Sequence, residues 1–473
     1  MRYDDELLPA PSATLTSTTT GYTPFPGANN HPSDKNNISI RAGLSKDVFG
    51  NGATVLRGGY GMYYGRITNG ILLNVELNTG SPLGQYTSTF QPVAGSPILP
   101  TIAGAGSAPV PAAYYLSPTL QNPMVHEFDL LVQQGVGKGT VFSVSYLGAL
   151  GRDLTNFLDE NLDPTTAVSA PVTVVAGTNG SLGPLAPYVG PGNIIANQKI
   201  YTHYGNVAKF GPAATNFQNI TEIVSNVNSN YNAMVMEIQN RSIRHLQFDF
   251  NYTWAHSLDF AQNTSTTTAA QDWYDPYGNP RQNYGNSAYN VGNRFVGYAL
   301  YSLPELNGHA WYTYLSNGWK VDTSFQMQNG LPYSADVTGT SGGTGDPNKG
   351  ISTGWNGAGG IPGSSGTAGG VAIIPQLGIN TLQLPRKIVD DLRVEKDFRF
   401  RERYTWEFFA QVFNLANHQN IDGLGETAYK LSGSATSNTA TFQNTTYQVP
   451  TSSNNSGFLY TPREIEIATK FTF

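Results

Sequence analysis

Apolar and polar residues alternate with a period of two in several segments of this chain, and no other feature constrains its fold as much. In the last segment one set of alternate positions is Ile465, Ile467, Thr469, Phe471 and Phe473, and the other is Glu464, Glu466, Ala468, Lys470 and Thr472. Successive side chains of a β-strand point to opposite faces, so one face of this segment suits an apolar medium and the other suits water. A tilted strand of about 9 to 11 residues is long enough to cross a bilayer.

The same alternation recurs from Leu246, from Trp319 and from Leu392, where Lys396 alone interrupts the apolar face. Helical periodicity fits none of these segments. We predict about eleven strands, near residues 38–48, 53–65, 126–136, 140–152, 230–242, 246–259, 294–306, 318–332, 385–400, 404–419 and 463–473. In the second strand, Gly58, Gly59 and Gly61 predict a bend or a bulge.

The connections between the predicted strands alternate between short and long. Short turns fall at 49–52, 137–139, 243–245 and 401–403, and a somewhat longer link falls at 307–317. The long polar connections fall near 66–125, 153–229, 260–293, 333–384 and 420–462. Transmembrane barrels have short periplasmic turns and longer extracellular loops, so the sequence predicts an all-β protein with an antiparallel transmembrane β-barrel.

The alternation of short and long connections also predicts how the chain is organised. Residues 1–37 are expected to be an outer loop or an N-terminal remnant, and residues 38–473 the C-terminal portion of the barrel. The first strand would start outside and the last would end in the periplasm, which requires an odd number of strands. Bacterial single-chain barrels have an even number, so we expect further strands upstream of Met1. The residues after Met1 contain no apolar signal-peptide core, which agrees with that expectation.

Composition excludes several other classes of protein. Only 12% of the 473 residues are charged, the net charge is −6 and no Lys/Arg cluster stands out, so nucleic-acid binding is not expected. The chain has no cysteine, and no apolar run is long enough for a membrane helix. Its seven histidines show no paired metal-ligand spacing. We predict no enzyme activity and no catalytic, cofactor-binding or metal site.

Two loop segments partly resemble known binding motifs. The run from Gly339 to Gly350 lacks the Gly-Lys-Ser/Thr ending of a phosphate-binding loop and is predicted to be an outer loop. Asp272, Asp275 and Asn279 do not have the spacing of a twelve-residue calcium loop and are predicted to form a turn.

Several stretches together resemble the barrel domain of Oar-like TonB-dependent outer-membrane receptors of the acidobacterial type. They are Ala53–Gly65, Asn122–Leu154, Ser229–Asp259, Asn293–Leu303, Gly318–Tyr333 and Phe408–Gln419. The resemblance implies a barrel of about 22 strands, of which this chain carries about half. It also implies uptake of an unidentified ligand, with a TonB-type energising complex acting on a plug that this sequence lacks. A structural or surface-interaction protein of the outer membrane and a passive porin remain alternatives.

Three groups of residues are predicted to carry the functions of such a barrel. The alternate residues Ile467, Thr469, Phe471 and Phe473 resemble the signal that outer-membrane proteins present to the barrel-assembly machinery. Aromatic residues near strand ends are predicted to meet the interface of the outer-membrane lipid: Tyr63, Tyr64, Trp254, Trp319 and Trp406. Charged residues are predicted to face the lumen, as a ladder that could also hold a plug: Asp391, Arg393, Glu395, Asp397, Arg399, Glu464 and Glu466.

Overall fold

The structure is a computed structural model, and it is dominated by antiparallel β-strands. It describes residues 1–11, 25–80, 112–137, 139–161, 163–166, 168–200, 205–217, 220–260, 280–308, 311–339, 371–400, 404–434, 437–452 and 461–473. The α-helices of these ranges are short: α1 (Asn69–Leu77), α2 (Val207–Phe210) and α3 (Trp311–Ser316). None of the described helices is long and apolar enough to span a membrane.

Eleven strands follow one another in a single meander, and each overlaps one of the predicted segments. They are β1 (Arg41–Asp47), β2 (Thr54–Tyr64), β3 (Met124–Val136), β4 (Thr140–Asp159), β5 (Ile220–Asn240), β6 (Leu246–Asp259), β7 (Asn293–Ser302), β8 (Trp319–Gln328), β9 (Lys387–Phe400), β10 (Tyr404–Phe413) and β11 (Glu464–Thr472). Every consecutive pair is antiparallel and hydrogen-bonded. We call this the main sheet. Within the described residues it is open, because β1 and β11 lie at its two ends and do not pair with each other.

The pairing register brings the separate apolar patterns onto one face of the main sheet. One row across β6 to β11 consists of Phe248, Ala299, Thr323, Leu392, Val412 and Ile465. The neighbouring row consists of Gln247, Leu300, Asp322, Arg393, Gln411 and Glu466. Because directly opposed residues share a face, the first row belongs to an apolar face and the second to a largely polar one.

The long connections contain more structure than the sequence predicts. Three of them contribute strands to one six-stranded sheet, in the spatial order Val371–Ile373, Asp336–Gly339, Thr427–Ser434, Ser437–Phe442, Val168–Val175 and Ile194–Ile200. We call this the loop sheet. Its apolar core includes Val172, Leu185, Val337, Ile374, Tyr429 and Leu431. The three connections therefore fold together on the long-loop side of the main sheet.

β4 and β5 extend past their neighbours, with 20 and 21 residues against 13 in β3 and 14 in β6. The register between β4 and β5 shifts twice between Ser225 and Ser229, so the regular pairing of these two strands is interrupted there. Beyond that point a further strand, Ala113–Leu116, pairs in parallel with Ile220–Ile223. The side chains of Val75 in α1, Leu116, Phe157 and Ile223 form a second buried cluster here.

The remaining elements are short. The strands are Arg2–Asp4, Asn37–Ser39, Gly285–Asn286, Pro332–Tyr333, Leu382–Gln383, Gly423–Leu424 and Pro450–Ser452. The 3-10 helices are Pro26–Asn29, Pro164–Thr166, Gly183–Tyr188, Pro191–Asn193, Pro212–Asn216 and Pro280–Asn283.

Candidate functional site

A compact group of charged side chains lies on the polar face of β8, β9 and β10, toward the short-turn end. Lys320 Nζ lies 2.6 Å from Glu395 Oε1 and 2.9 Å from Asp397 Oδ2. Arg393 Nη2 lies 2.7 Å from Glu395 Oε2 and 2.9 Å from Glu407 Oε1. We call these five residues the charge network. Two cations therefore bridge three carboxylates across three adjacent strands.

The ion pairs explain how the charge network tolerates burial. Glu395 is only 6% exposed and Asp397 only 8%. An ionised carboxylate withdrawn from water is costly unless it is paired, and here Lys320 and Arg393 supply the partners. Oxygens of Glu395, Asp397 and Glu407 also lie within 4.8 Å of one another, which is close enough to share a metal ion. The two cations already occupy the positions beside these oxygens, so the group fits an ion-pair network better than a metal centre.

The other charged residues predicted to face the lumen lie on the same face but outside this group. Asp391 accepts hydrogen bonds from Ser324 Oγ at 3.3 Å and from the backbone N–H of Asn414 at 2.9 Å. Arg399 is largely exposed, 3.9 Å from Asp397 and 3.8 Å from Glu305. Glu464 and Glu466 lie on the outermost strand, β11, and neither forms an ion pair within the part of the chain that the structure describes.

A depression of about 730 Å³ lies at the other end of the main sheet, over β1 to β5. The polar-face residues Arg41, Gly59, Glu127, Asp129 and Tyr231 are part of its lining. The glycine provides room, because a Cβ at Gly59 would lie 2.5 Å from Asp129 Oδ1. The lining combines one cation, two carboxylates and several aromatic rings, which suits a polar ligand or a water-filled path.

The predicted bulge in β2 is not observed. The pairings of β1 with β2 and of β2 with β3 run without any register shift. At Gly61 a Cβ would lie 2.7 Å from the ring of Tyr63, and at Gly58 it would make only ordinary contacts. Gly59 and Gly61 therefore serve close approaches of side chains rather than a change in the path of the strand.

The predicted interface aromatics do not all lie on one face. Register places Tyr64, Trp254, Trp319 and Trp406 on the apolar face. Tyr63 precedes Tyr64 in the same strand, so the pleat turns it to the polar face, where the Arg41 guanidinium lies 4.3 Å from its ring centroid. Tyr63 therefore lies on the opposite face from the other four predicted interface aromatics, and its contact with lipid stays a prediction.

The C-terminal residues complete a row of aromatic side chains at the short-turn end of the apolar face. Phe398, Trp406 and Phe471 are directly opposed across β9, β10 and β11. Tyr404 stacks on Phe471 with centroids 6.1 Å apart, and Phe471 lies 6.3 Å from Phe473. Trp406 Nε1 donates to Thr469 Oγ1 at 2.7 Å. Ile467 lies two residues before Thr469 on the same face of β11, and its side chain is strongly exposed.

Tyr301, Phe398 and Tyr404 lie on this apolar face but were not among the predicted interface aromatics. Each lies within three residues of the short-turn end of its strand, as Trp319 and Trp406 do, whereas Trp254 lies toward the long-loop end. An aromatic residue at an apolar-face position near that end is the signal that identifies them.

A buried tyrosine joins two of the long connections within the loop sheet. The hydroxyl of Tyr429 donates to the carbonyl oxygen of Leu182 at 2.5 Å and accepts from the backbone N–H of Leu185 at 2.9 Å. Its ring is fully buried, and burial raises the pKa of its phenol to about 12. This contact fixes the 3-10 helix Gly183–Tyr188 against the strand Thr427–Ser434.

The two loop motifs cannot be located in the structure. Residues 340–350 of the Gly-rich run, and Asp272, Asp275 and Asn279, lie outside the described residues.

Comparisons with known proteins give one family. A family model described as "Outer membrane beta barrel domain" matches residues 5–464. No curated protein sequence matches the chain.

Three solved structures to which the chain is similar are transporters or receptors with low sequence identity to it. The outer membrane transporter YddB from Escherichia coli is 12% identical, with a TM-score of 0.41, over 94% of this chain and 41% of that one. The siderophore receptor PirA from Acinetobacter baumannii is 10% identical, with a TM-score of 0.40, over 93% of this chain and 41% of that one. The FrpB iron transporter from Neisseria meningitidis is 8% identical, with a TM-score of 0.39, over 94% and 40%. The chain thus spans about two fifths of the length of these proteins.

Proposed function

The chain belongs to the outer membrane beta-barrel domain family and lies in the outer membrane, and from this premise we propose that it forms part of the wall of a TonB-dependent-type receptor. In this proposal the apolar face of the main sheet meets lipid and the polar face lines the lumen. The long connections are extracellular and the short turns periplasmic, as in other barrels of this class. The receptor takes up a ligand that is not yet identified and performs no chemistry on it.

The loop sheet is the observation that carries the receptor proposal. Strands from three long connections share one apolar core that includes Val172, Val337 and Tyr429. A shared core holds the connections in one arrangement, and preorganised surfaces bind ligands at a lower entropic cost than mobile ones. The loop sheet is therefore suited to capture a ligand above the lumen.

The charge network supports a second part of the proposal. Its carboxylates and cations lie on the polar face near the periplasmic end, where a plug inside the barrel would meet the wall. Exposed Arg399 adds a further charge at the same level. We propose that this region contacts a plug on which a TonB-type complex acts, and that the plug and the strands that complete the barrel are not among these 473 residues.

The loop sheet also favours a second candidate function. A folded external unit with its own core is suited to surface interaction even without transport. In that case the barrel would serve only to hold the loop sheet at the cell surface.

Conductance distinguishes these functions from a passive porin. The complete protein, purified from the outer membranes of cells that make it, is added to planar lipid bilayers before and after treatment with urea. A receptor with a plug gives little steady conductance at first and a large one after urea displaces the plug. A steady conductance without urea would indicate a porin and contradict the receptor proposal. No conductance under either condition would favour the surface-interaction protein.

A further inference from the structure

Among the short connections that the structure describes, one carries a helix with exposed apolar side chains, and it is periplasmic in the proposed function on which this inference rests. Between β7 and β8 lies α3, in which Trp311 is 75% exposed, Tyr312 is 53% and Leu315 is 56%. Positions i, i+1 and i+4 form one face of a helix. Thr313 lies on the opposite face and is only 3% exposed. The helix thus turns one small side chain toward the protein and four large ones away from it, including Tyr314, which is 52% exposed.

Hydrogen bonds attach α3 to the apolar face of the main sheet. Trp319 Nε1 donates to the carbonyl oxygen of Leu315 at 2.7 Å, and the Lys396 ammonium donates to the carbonyl oxygen of Asn317. Trp319 and Lys396 are directly opposed in β8 and β9, and both lie on the apolar face. The Lys396 ammonium also lies 4.7 Å from the ring centroid of Phe398. The C-terminal end of α3 is therefore tied to the face that meets lipid.

The C-terminal part of α3 lies beside the aromatic row already described, because Thr313 and Tyr314 line one depression together with Phe398. Phe398, Trp406 and Phe471 mark the periplasmic end of the apolar face across three strands. Tyr301 lies near the end of β7 on the same face, ten residues before Trp311 in the sequence. The helix therefore lies next to the apolar surface of the sheet.

We infer that α3 is an interfacial anchor that lies in the headgroup region of the periplasmic leaflet, with Trp311, Tyr312 and Leu315 inserted among phospholipids. Tryptophan and tyrosine are enriched at membrane interfaces because their rings are apolar and their edges can hydrogen-bond. An isolated helix of six residues is unstable in water, so contact with the interface would favour its helical form. The partner is the lipid surface itself, reached by continuity with the lipid-facing side of the sheet.

Depth-dependent quenching tests this assignment directly. Because the chain has no cysteine, Leu315→Cys can be labelled at a single site with an environment-sensitive fluorophore. The matched control is Asn51→Cys, in the exposed turn between β1 and β2 on the same side of the membrane. Each complete protein is purified from outer membranes and reconstituted into vesicles of phosphatidylethanolamine and phosphatidylglycerol. Quenchers are a phospholipid with a doxyl group near its headgroup and, separately, aqueous iodide.

The anchor predicts that doxyl lipid quenches the label at position 315 severalfold more strongly than it quenches the label at position 51. Iodide should show the reverse order, and the emission from position 315 should be shifted to shorter wavelength. If iodide instead quenches both positions equally and doxyl lipid quenches neither, α3 projects into the periplasm and the proposal is wrong. That result would favour a periplasmic protein as the partner of this face. Neither outcome depends on whether the barrel is a receptor or a porin.

Discussion

Phe250 shows how single residues shape the apolar face of the main sheet. Its ring stacks against Phe248 and Phe295, with centroids 5.7 and 6.0 Å apart. It also covers Gly297, its direct partner in β7, where a Cβ would lie only 2.1 Å from the ring. An aromatic ring lying over a glycine in the next strand shields backbone that would otherwise be open to the surroundings.

Phe250→Arg tests whether this face meets lipid. Phe250 is the middle of the nine residue pairs that join β6 and β7, so the proposed arrangement puts its side chain near the centre of the bilayer. We expect the substitution to reduce stability by about 2–4 kcal/mol, because a cation at the midplane loses its hydration. The measurement is the fraction of protein in isolated outer membranes that resists unfolding by detergent before heating. Asn251→Arg, one residue along on the polar face, is the control and should assemble normally; equal defects would show that the faces are misassigned.

Lys320→Met tests the charge network. The substitution leaves Glu395 and Asp397 without their shared cation, and both carboxylates are buried. Because Lys320 is itself about one third exposed, we expect a loss of only about 1–3 kcal/mol, measured as a lower urea midpoint of unfolding. Lys320→Arg should retain most of the stability. The control is Lys46→Met, at an exposed lysine. If its urea midpoint falls as far as that of Lys320→Met, the ion pairs of the charge network do not account for the loss of stability.

For single residues, the alternating pattern predicted well which face of a strand each side chain occupies. It predicted poorly which groups surround that side chain. Period two assigns neighbours in one strand to opposite faces, so the pattern itself required Tyr63 and Tyr64 to differ. Which side of β2 meets lipid depends on its partners, and Arg41 beside Tyr63 became visible only with the pairing register. The burial of Glu395 was likewise hidden, because it depends on Lys320, 75 positions earlier in the chain, as well as on its near neighbour Arg393.

Among elements, the loop sheet is held together by strand pairing and an apolar core, and the Tyr429 hydroxyl adds two hydrogen bonds between its connections. Tyr429→Phe removes both hydrogen bonds of its hydroxyl and leaves the Leu185 N–H and the Leu182 carbonyl without that partner. We expect a loss of about 1–3 kcal/mol confined to the loop sheet, seen as faster hydrogen exchange in residues 183–188. Exchange in the main sheet should not change. Tyr188→Phe is the control, since Tyr188 is half exposed in the same 3-10 helix; faster exchange there would point to general loosening.

The phenol of Tyr429 also limits the stability of the loop sheet at high pH. Burial raises the pKa of Tyr429 to about 12, above its ordinary value of about 10. A raised pKa means that the folded state favours the neutral phenol, so its stabilisation is complete below pH 10 and is lost as pH rises through about 12. Burial raises the pKa of Tyr447 in the same way. We expect hydrogen exchange in the loop sheet to accelerate over this range by more than the intrinsic rate predicts. The acceleration should be smaller in Tyr429→Phe, and an unchanged one would assign it to other groups.

The long connections mark the boundary of what sequence could predict about elements. The spanning strands were found because each is long, regular and paired with its neighbour along the chain. The strand Ser437–Phe442 has six residues, is rich in Ser, Thr and Asn, and pairs in parallel with Val168–Val175. A pairing between residues more than 260 positions apart leaves no local periodicity in either segment. Only tertiary packing around Tyr429 and its neighbours selects it.

For the whole molecule, the relative direction of the two edge strands of the main sheet matters. β1 runs from the long-loop side to a short turn, and β11 also follows a long connection and runs toward the short-turn side. The two edge strands are therefore parallel to each other. A seam made by antiparallel pairing requires an odd number of further strands between them, which would bring the total to an even number, as in bacterial barrels of this kind.

Engineered disulfides test this geometry in the outer membrane. Cysteine pairs that join Gly43 or Ser45 of β1 to Glu466 or Ala468 of β11 should not cross-link within one molecule. The positive control is Gln411→Cys with Glu466→Cys, which are directly opposed in β10 and β11. Efficient cross-linking between β1 and β11 would instead indicate a directly closed barrel with a parallel seam.

The loop sheet has a consequence for how such a surface can evolve. Residues 172–175 pair with 438–441, and the strand Thr427–Ser434 lies between Ser437–Phe442 and Asp336–Gly339, so each of the three connections rests on another. A substitution that lets one connection escape a phage or an antibody also alters the fit of its neighbours. Homologues should therefore differ in these three segments together, as matched sets inherited as a block.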